Sequence, residues 1–81
     1  MPTLLQERGY RVVMYYNDHT PAHVHVKKAG NEALVQLDPI VIMDNYGYNR
    51  GELNTIIEII ADNQQMLIDA WNSYYGEGED E

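Results

Sequence analysis

Residues 23–37 read HVHVKKAGNEALVQL and contain two strand-forming runs separated by a turn. In the first run, His23–Lys28, histidine and valine alternate, which is typical of a strand with one face in a core. The second run, Glu32–Leu37, is rich in apolar residues. Between them, Gly30 and Asn31 favour a tight hairpin. The sequence therefore predicts an antiparallel pair of strands at the centre of the fold.

Two more strands are predicted before and after this hairpin. Arg11–Tyr16 is rich in β-branched and aromatic residues and ends at a turn signal at Asn17. Ile40–Met43 follows Pro39 and is predicted to form a short fourth strand. An antiparallel sheet of three to four strands is expected.

The last third of the chain changes to helical periodicity. Asn49, followed three residues later by Glu52, resembles a capping box that opens a helix, and the helix is expected to continue to Tyr75. A single helix over residues 50–75 would be about 39 Å long at 1.5 Å per residue. A bend or break near Asp62–Asn63 is therefore the alternative.

The predicted fold class is α+β: an antiparallel three- to four-stranded sheet covered by one long C-terminal helix. Residues 1–76 are expected to form a single domain, and residues 77–81 an acidic flexible tail. The helix residues expected to cover the sheet span an arc of about 120°. They are Leu53, Ile56, Ile57, Ile60, Leu67, Ile68, Trp71, Tyr74 and Tyr75. A neighbouring apolar sector of Ile59, Met66 and Ala70 predicts contact with a second copy of the chain or with a cognate protein partner.

Charge is unevenly distributed along the chain. The net charge of the 81 residues is −8, yet residues 1–50 contain five basic and five acidic side chains, whereas residues 51–81 contain eight acidic and no basic ones. Duplex-binding domains normally present a net basic face, so this composition argues against nucleic acid as a partner. The chain has no cysteine, and its first residues are not expected to form a secretion signal. It also lacks an apolar run of the ~20 residues that cross a membrane, and a cytoplasmic, non-membrane protein is predicted.

All three histidines fall in the segment DHTPAHVH, residues 18–25. Strand alternation places His23, His25 and Lys27 on one face, which is expected to be the outer side of the sheet, where the histidines face solvent or a ligand. Side chains two residues apart on a strand are close enough for two imidazoles to converge on one ion. His19 and Asp18 precede the strand and could complete such a set.

Three interpretations of the histidine cluster are open. In the first, His19, His23 and His25 bind a divalent metal such as zinc, with Asp18 as a further ligand or an orienting group. In the second, the histidines carry out acid–base or phosphate-binding chemistry without metal, and Lys27 counters the phosphate charge. In the third, His23 and His25 are strand-surface residues and His19 is a turn residue.

Four segments of the chain resemble the domain-of-unknown-function family 4160, and the resemblance covers residues 1–76. The segments are Met1–Thr3, DHTPAHVHV at 18–26, Leu37–Pro39, and Ala70–Asn72 with Tyr74 or Tyr75. Ala22 stands where the family usually has a second proline. The resemblance implies a sheet covered by a C-terminal helix and makes residues 18–26 the expected site. The family has no established activity, and the genomic context of its members implies toxin–antitoxin or mobile-element modules.

The leading functional hypothesis is a small accessory protein of a toxin–antitoxin or defence-related module that acts through a site lined by His19, His23 and His25. One alternative is a metal-dependent or acid–base hydrolase of a phosphate-containing substrate, in which these histidines, Asp18 and Lys27 are catalytic. Another is a non-enzymatic, oligomeric inhibitor or ligand-sequestering protein that holds a small anion.

Overall fold

Five strands follow one another in an antiparallel meander. They are β1 (Thr3–Glu7), β2 (Tyr10–Val13), β3 (His23–Lys28), β4 (Asn31–Leu37) and β5 (Ile40–Tyr46). Their order in the sheet is their order in the chain, so β3 is central and β1 and β5 are the edges. The computed structural model describes residues 3–15 and 21–76.

The prediction of three to four strands is wrong because it missed β1. This segment, TLLQE, contains a single β-branched residue, and propensity alone therefore does not mark it as a strand. It becomes a strand by pairing with β2 across the turn at Arg8 and Gly9, both of which have positive φ. β5 also continues beyond its predicted end, from Met43 to Tyr46.

The predicted hairpin between β3 and β4 is confirmed as a pair of strands, but its turn lies one residue earlier than the predicted Gly30–Asn31. Ala29 and Gly30 occupy the turn with φ of 52° and 84°, and Lys28 faces Asn31 across it. This pairing of two positive φ values is typical of the two-residue turns that match the twist of antiparallel strands. The next turn, between β4 and β5, contains a cis peptide bond at Asp38-Pro39.

The predicted start of the helical region is confirmed at α1 (Arg50–Asp62). The Asn49 side chain accepts from the Glu52 amide at 2.8 Å, and the Glu52 carboxylate accepts from the Asn49 amide at 2.9 Å. These reciprocal bonds form a capping box, which satisfies amides that the first turn leaves without partners. No helix in residues 3–15 and 21–76 is long and apolar enough to cross a membrane.

The expectation of one long C-terminal helix is wrong, because α1 ends at Asp62 and a second helix, α2 (Gln64–Trp71), follows. Asn63 lies between them with φ −120° and ψ 17°, outside the helical region. Its side-chain amide donates to the carbonyl of Ile59 at 2.8 Å. Asparagine competes in this way with helical backbone bonding, which accounts for the break at this residue. α2 runs into a short π-helical segment, Asn72–Gly76.

The core lies between one face of the sheet and the two helices. Its buried residues are Tyr10, Val12, Met14, Val24, Val26, Ala33, Val35, Leu37, Tyr48, Ile56, Ile59, Ile60, Leu67 and Trp71. The burial of helix residues differs from the prediction at three positions, one of which is Tyr74, expected to cover the sheet but 49% exposed. Ile57, expected in the core, is 38% exposed, whereas Ile59, expected to contact a partner, is 1% exposed.

Candidate functional site

The second face of the sheet carries His23, His25 and Lys27, and two cross-strand rows define the surroundings of His25. One row pairs Val13 with His25, and the other pairs Arg11, Lys27 and Glu32 across three neighbouring strands. Since Val24 and Val26 lie in the core, alternation turns the residues between them to the opposite face. The prediction that His23, His25 and Lys27 share a face, with the intervening valines toward the helices, is confirmed.

These imidazoles are expected to face either solvent or a ligand, and the structure shows that they do not face solvent. His23 is 8% exposed and His25 is 7% exposed. The ring of Tyr15 lies 4.1 Å from that of His25, and the ring of Trp71 lies 5.4 Å from that of His23. Both aromatic residues lie outside β3. Alternation within β3 therefore does not predict that they bury the two imidazoles.

His25 forms the best-defined polar contact of this face. Its Nδ1 atom lies 2.9 Å from the Glu32 carboxylate oxygen Oε2. Because an ionised carboxylate only accepts hydrogen bonds, Nδ1 donates, and in the neutral ring Nε2 is then the basic nitrogen. A carboxylate placed in this way orients the imidazole.

His23 is held in a similar way by the backbone. Its Nδ1 atom lies 2.9 Å from the carbonyl oxygen of Pro21, which can only accept. The His23 and His25 rings are 5.4 Å apart and meet edge to face. Two adjacent imidazoles thus have the same tautomer, with Nε2 as the basic atom of each.

Positive charge borders the pair on the side of the β3–β4 turn. The Lys27 ammonium lies 5.0 Å from the centre of the Tyr15 ring, a cation–π distance. Lys27 is also opposite both Arg11 and Glu32 in the ladder. A carboxylate, two imidazoles and two cations therefore share one face of a chain whose net charge is −8.

The sequence analysis missed Glu32 as a site residue, because it placed the β3–β4 turn one residue too late. A two-residue turn at Ala29 and Gly30 fixes the register, which sets Glu32 opposite Lys27 and so diagonal to His25. Diagonal neighbours on one face of an antiparallel pair are within reach of long side chains. The predicted two-residue turn at Gly30 and Asn31 would instead pair Glu32 with Ala29, so the register predicted from the sequence does not place Glu32 beside His25.

The remaining predicted site residues, Asp18 and His19, lie outside the described residues. Within residues 3–15 and 21–76, no group of three His, Cys, Asp or Glu residues is arranged to hold a metal ion. The metal hypothesis needs His19 beside His23 and His25, so it stays a prediction.

The predicted partner surface on the helices is smaller than expected. Ile59 belongs to the core and is not available to a partner. Met66 is 41% exposed, and Ala70 is partly buried against the core. A partner surface on the helices would therefore be centred on Met66.

The domain of unknown function DUF4160 matches residues 9–72 of the chain. The chain belongs to the DUF4160 family. The match contains β2 to β5 and both helices, and with them the pair of histidines and Glu32, whereas β1 precedes it. No curated protein and no solved structure matches the chain.

Proposed function

We propose that this DUF4160 chain is an acid–base hydrolase of a phosphate-containing substrate, with His25 as a proton carrier and Glu32 as the residue that orients it. The observation that carries the proposal is the 2.9 Å contact between His25 Nδ1 and the Glu32 carboxylate. A histidine oriented by a carboxylate is suited to general acid–base catalysis, because its Nε2 accepts or donates a proton near neutral pH.

The neighbouring imidazole supports a two-histidine reaction. His25 Nε2 removes a proton from water, and the water oxygen forms a bond to phosphorus. The bond from phosphorus to the leaving oxygen breaks, its electron pair goes to that oxygen, and protonated His23 donates a proton to it. The 5.4 Å between the rings is compatible with one ligand contacting both residues.

The choice of a phosphate-containing substrate rests on charge. Arg11 and Lys27 lie on the same face as His25, and Lys27 is half-buried and directly opposite Glu32. Cations next to a proton carrier stabilise the charge that develops on phosphoryl oxygens. The Glu32 carboxylate contacts the His25 ring at 2.9 Å.

Hydrolysis assays with bis-p-nitrophenyl phosphate, p-nitrophenyl phosphate and a 2′,3′-cyclic nucleotide test the proposal. Replacing His25 by Gln should lower kcat by at least about 10²-fold, the usual contribution of a general acid or base. Glu32→Gln should also lower it. Glu58→Gln is the matched control, because Glu58 is exposed on α1 and pairs with Arg8, away from the histidines.

Full activity in a folded His25→Gln protein, judged by circular dichroism and thermal melting, would contradict the proposal. Assays with and without a chelator separate it from the metal alternative. Acid–base hydrolysis is expected to continue in chelator, whereas loss of activity that added zinc restores would favour a metal bound by His19, His23 and His25.

The role in a toxin–antitoxin or defence-related module stays a prediction, as does the non-enzymatic inhibitor. An oligomer formed through the helices is supported by the exposure of Met66. Met66→Glu should then lower the mass in sedimentation equilibrium to that of one chain, whereas Gln65→Glu, at an exposed neighbouring position, should not change it.

A further inference from the structure

An open cavity of about 450 Å³ lies at the end of the sheet that carries the β1–β2 turn and the β3–β4 turn. The charged residues that line it are Arg11, Lys27, Lys28 and Glu32, with Gln6 and Asn31 as polar neighbours. Pockets of 300–1,000 Å³ are typical of small-molecule sites. Three of the five basic residues of the whole chain border this one cavity.

We infer that this cavity binds the phosphate group of a small phosphate monoester through Arg11, Lys27 and Lys28. The inference rests on the proposed function for the reaction that follows binding, but not for the binding itself. A phosphate monoester carries a charge near −2 at neutral pH and several strong acceptor oxygens. Three cations opposed by one carboxylate, which is also bonded to His25, leave a positive excess that suits this dianion.

The basic side chains that line the cavity are available to bind an anionic ligand. Within residues 3–15 and 21–76, the ion pairs of basic side chains with carboxylates involve Arg8 and His25, and none involves Arg11, Lys27 or Lys28. Arg8, by contrast, is paired with Glu58 at 3.1 Å. Cations that are not already neutralised by a carboxylate gain most from a bound anion.

Both lysines are held in place before any ligand arrives. The Lys28 ammonium lies 4.5 Å from the centre of the Tyr10 ring, and the Lys27 ammonium lies 5.0 Å from that of Tyr15. Successive residues of β3 point to opposite faces, so the two lysine side chains border the cavity from opposite sides. Such pre-organisation reduces the entropy lost on binding.

A small ligand fits this distribution of charge better than a polymer does. The remaining basic residues are Arg8, which is paired, and Arg50, which lies at the start of α1. The chain as a whole has a net charge of −8. A long polyanion would leave the cavity and meet mostly acidic surface, whereas one phosphate group would remain among the three cations.

The test is an NMR titration of the ¹⁵N-labelled chain with phenyl phosphate in low-salt buffer, with phenol as the ligand that lacks the phosphate. Phenyl phosphate should produce saturable shifts at the amides of Arg11, Lys27 and Gly30, and phenol should not. Arg11→Gln and Lys28→Gln should each weaken binding about tenfold, the loss expected for one charge-assisted contact. Arg50→Gln is the matched control and should bind as the parent does.

The outcomes distinguish this inference from the proposed function. Saturable binding that Arg11→Gln weakens supports the inference even if no substrate is hydrolysed. Hydrolysis that is lost in His25→Gln, combined with phosphate binding that Arg11→Gln does not change, would overturn the inference and leave the proposed function standing. An absence of shifts in the parent, or tighter binding of a single-stranded oligonucleotide than of phenyl phosphate, would also overturn it.

Discussion

The Tyr48 hydroxyl donates to the carbonyl oxygen of Val26 at 2.9 Å, and it lies 3.2 Å from the carbonyl oxygen of Asn31. These two acceptors flank the β3–β4 turn, and Tyr48 directly precedes the capping box at Asn49. The side chain is 5% exposed. One buried hydroxyl therefore ties the start of α1 to the hairpin that carries His25 and Glu32.

Replacing Tyr48 by Phe should lower the free energy of unfolding by about 1 kcal/mol at pH 7, because a buried hydrogen bond is lost. It should also change the response to alkaline pH. Burial raises the pKa of Tyr48 to about 12, and the negative charges of Tyr10, Glu52 and Glu32 add to the effect. The unfolded chain therefore loses this proton at lower pH than the folded chain, and stability falls as pH rises from about 10 to about 12.

Urea unfolding of the parent and Tyr48→Phe from pH 8 to pH 12 provides the measurement. The other tyrosines are common to both proteins, so the difference between the two curves isolates Tyr48. The parent should lose its advantage as pH increases above about 10. Curves that remain parallel over this range would mean that Tyr48 ionises equally in the folded and unfolded chains.

Position 47 requires glycine for two reasons, its backbone conformation and the close approach of a neighbouring side chain. It has φ of 110°, and a Cβ atom there would collide with the side chain of Asn31. Gly30 has φ of 84° with open space around it, so it is a control with a similar backbone and no collision. Gly30→Ala should cost about 1 kcal/mol and Gly47→Ala about 2 to 4 kcal/mol in unfolding free energy.

Asn31→Ala in the Gly47→Ala background tests the source of the difference. Removing the Asn31 side chain should recover part of the loss, and a double-mutant cycle measures how much. Strictly additive losses would attribute the cost to the backbone alone.

The capping box of α1 can be tested with one pair of asparagines. Asn49→Ala removes the acceptor of the Glu52 amide and should lower the unfolding free energy by about 1 kcal/mol. Asn54→Ala makes the same chemical change at an exposed position inside α1. It should be neutral or stabilise by a few tenths of a kcal/mol, about the difference in helix propensity. Equal losses at both positions, measured by urea unfolding, would contradict a capping role for Asn49.

Alternation and turn chemistry were sufficient to predict the part of the fold that holds the site. They identified β3 and β4 and placed His23 and His25 on one face, but they put the turn at Gly30 and Asn31 where the structure has Ala29 and Gly30. They could not predict the burial of these imidazoles, because Tyr15 and Trp71 reach the face from other parts of the chain. Contacts between distant segments depend on packing, which the local pattern does not encode.

The burial of residues in the helical region was harder to predict for a related reason. An arc measured at a constant 100° per residue assumes one continuous helix, but the break at Asn63 means that α2 need not continue the phase of α1. The apolar surface of the predicted helix was also wider than the face that contacts the sheet. The sequence therefore left open which isoleucines of α1 are buried, and the prediction chose Ile57 where the structure has Ile59.

Alanine substitutions at these two isoleucines test whether Ile57 or Ile59 faces the core. Ile59 is 1% exposed and packs in the core with Ile56 and Ile60, so Ile59→Ala should cost about 2 to 5 kcal/mol through lost burial and the cavity that remains. Ile57 is 38% exposed, and Ile57→Ala should cost about 1 kcal/mol or less. Urea unfolding measures both in the same helix with the same change of side chain. A larger loss of stability at Ile57 than at Ile59 would mean that Ile57 is the buried residue, as the sequence predicted. Ile59 would then lie on the surface, where a partner could bind.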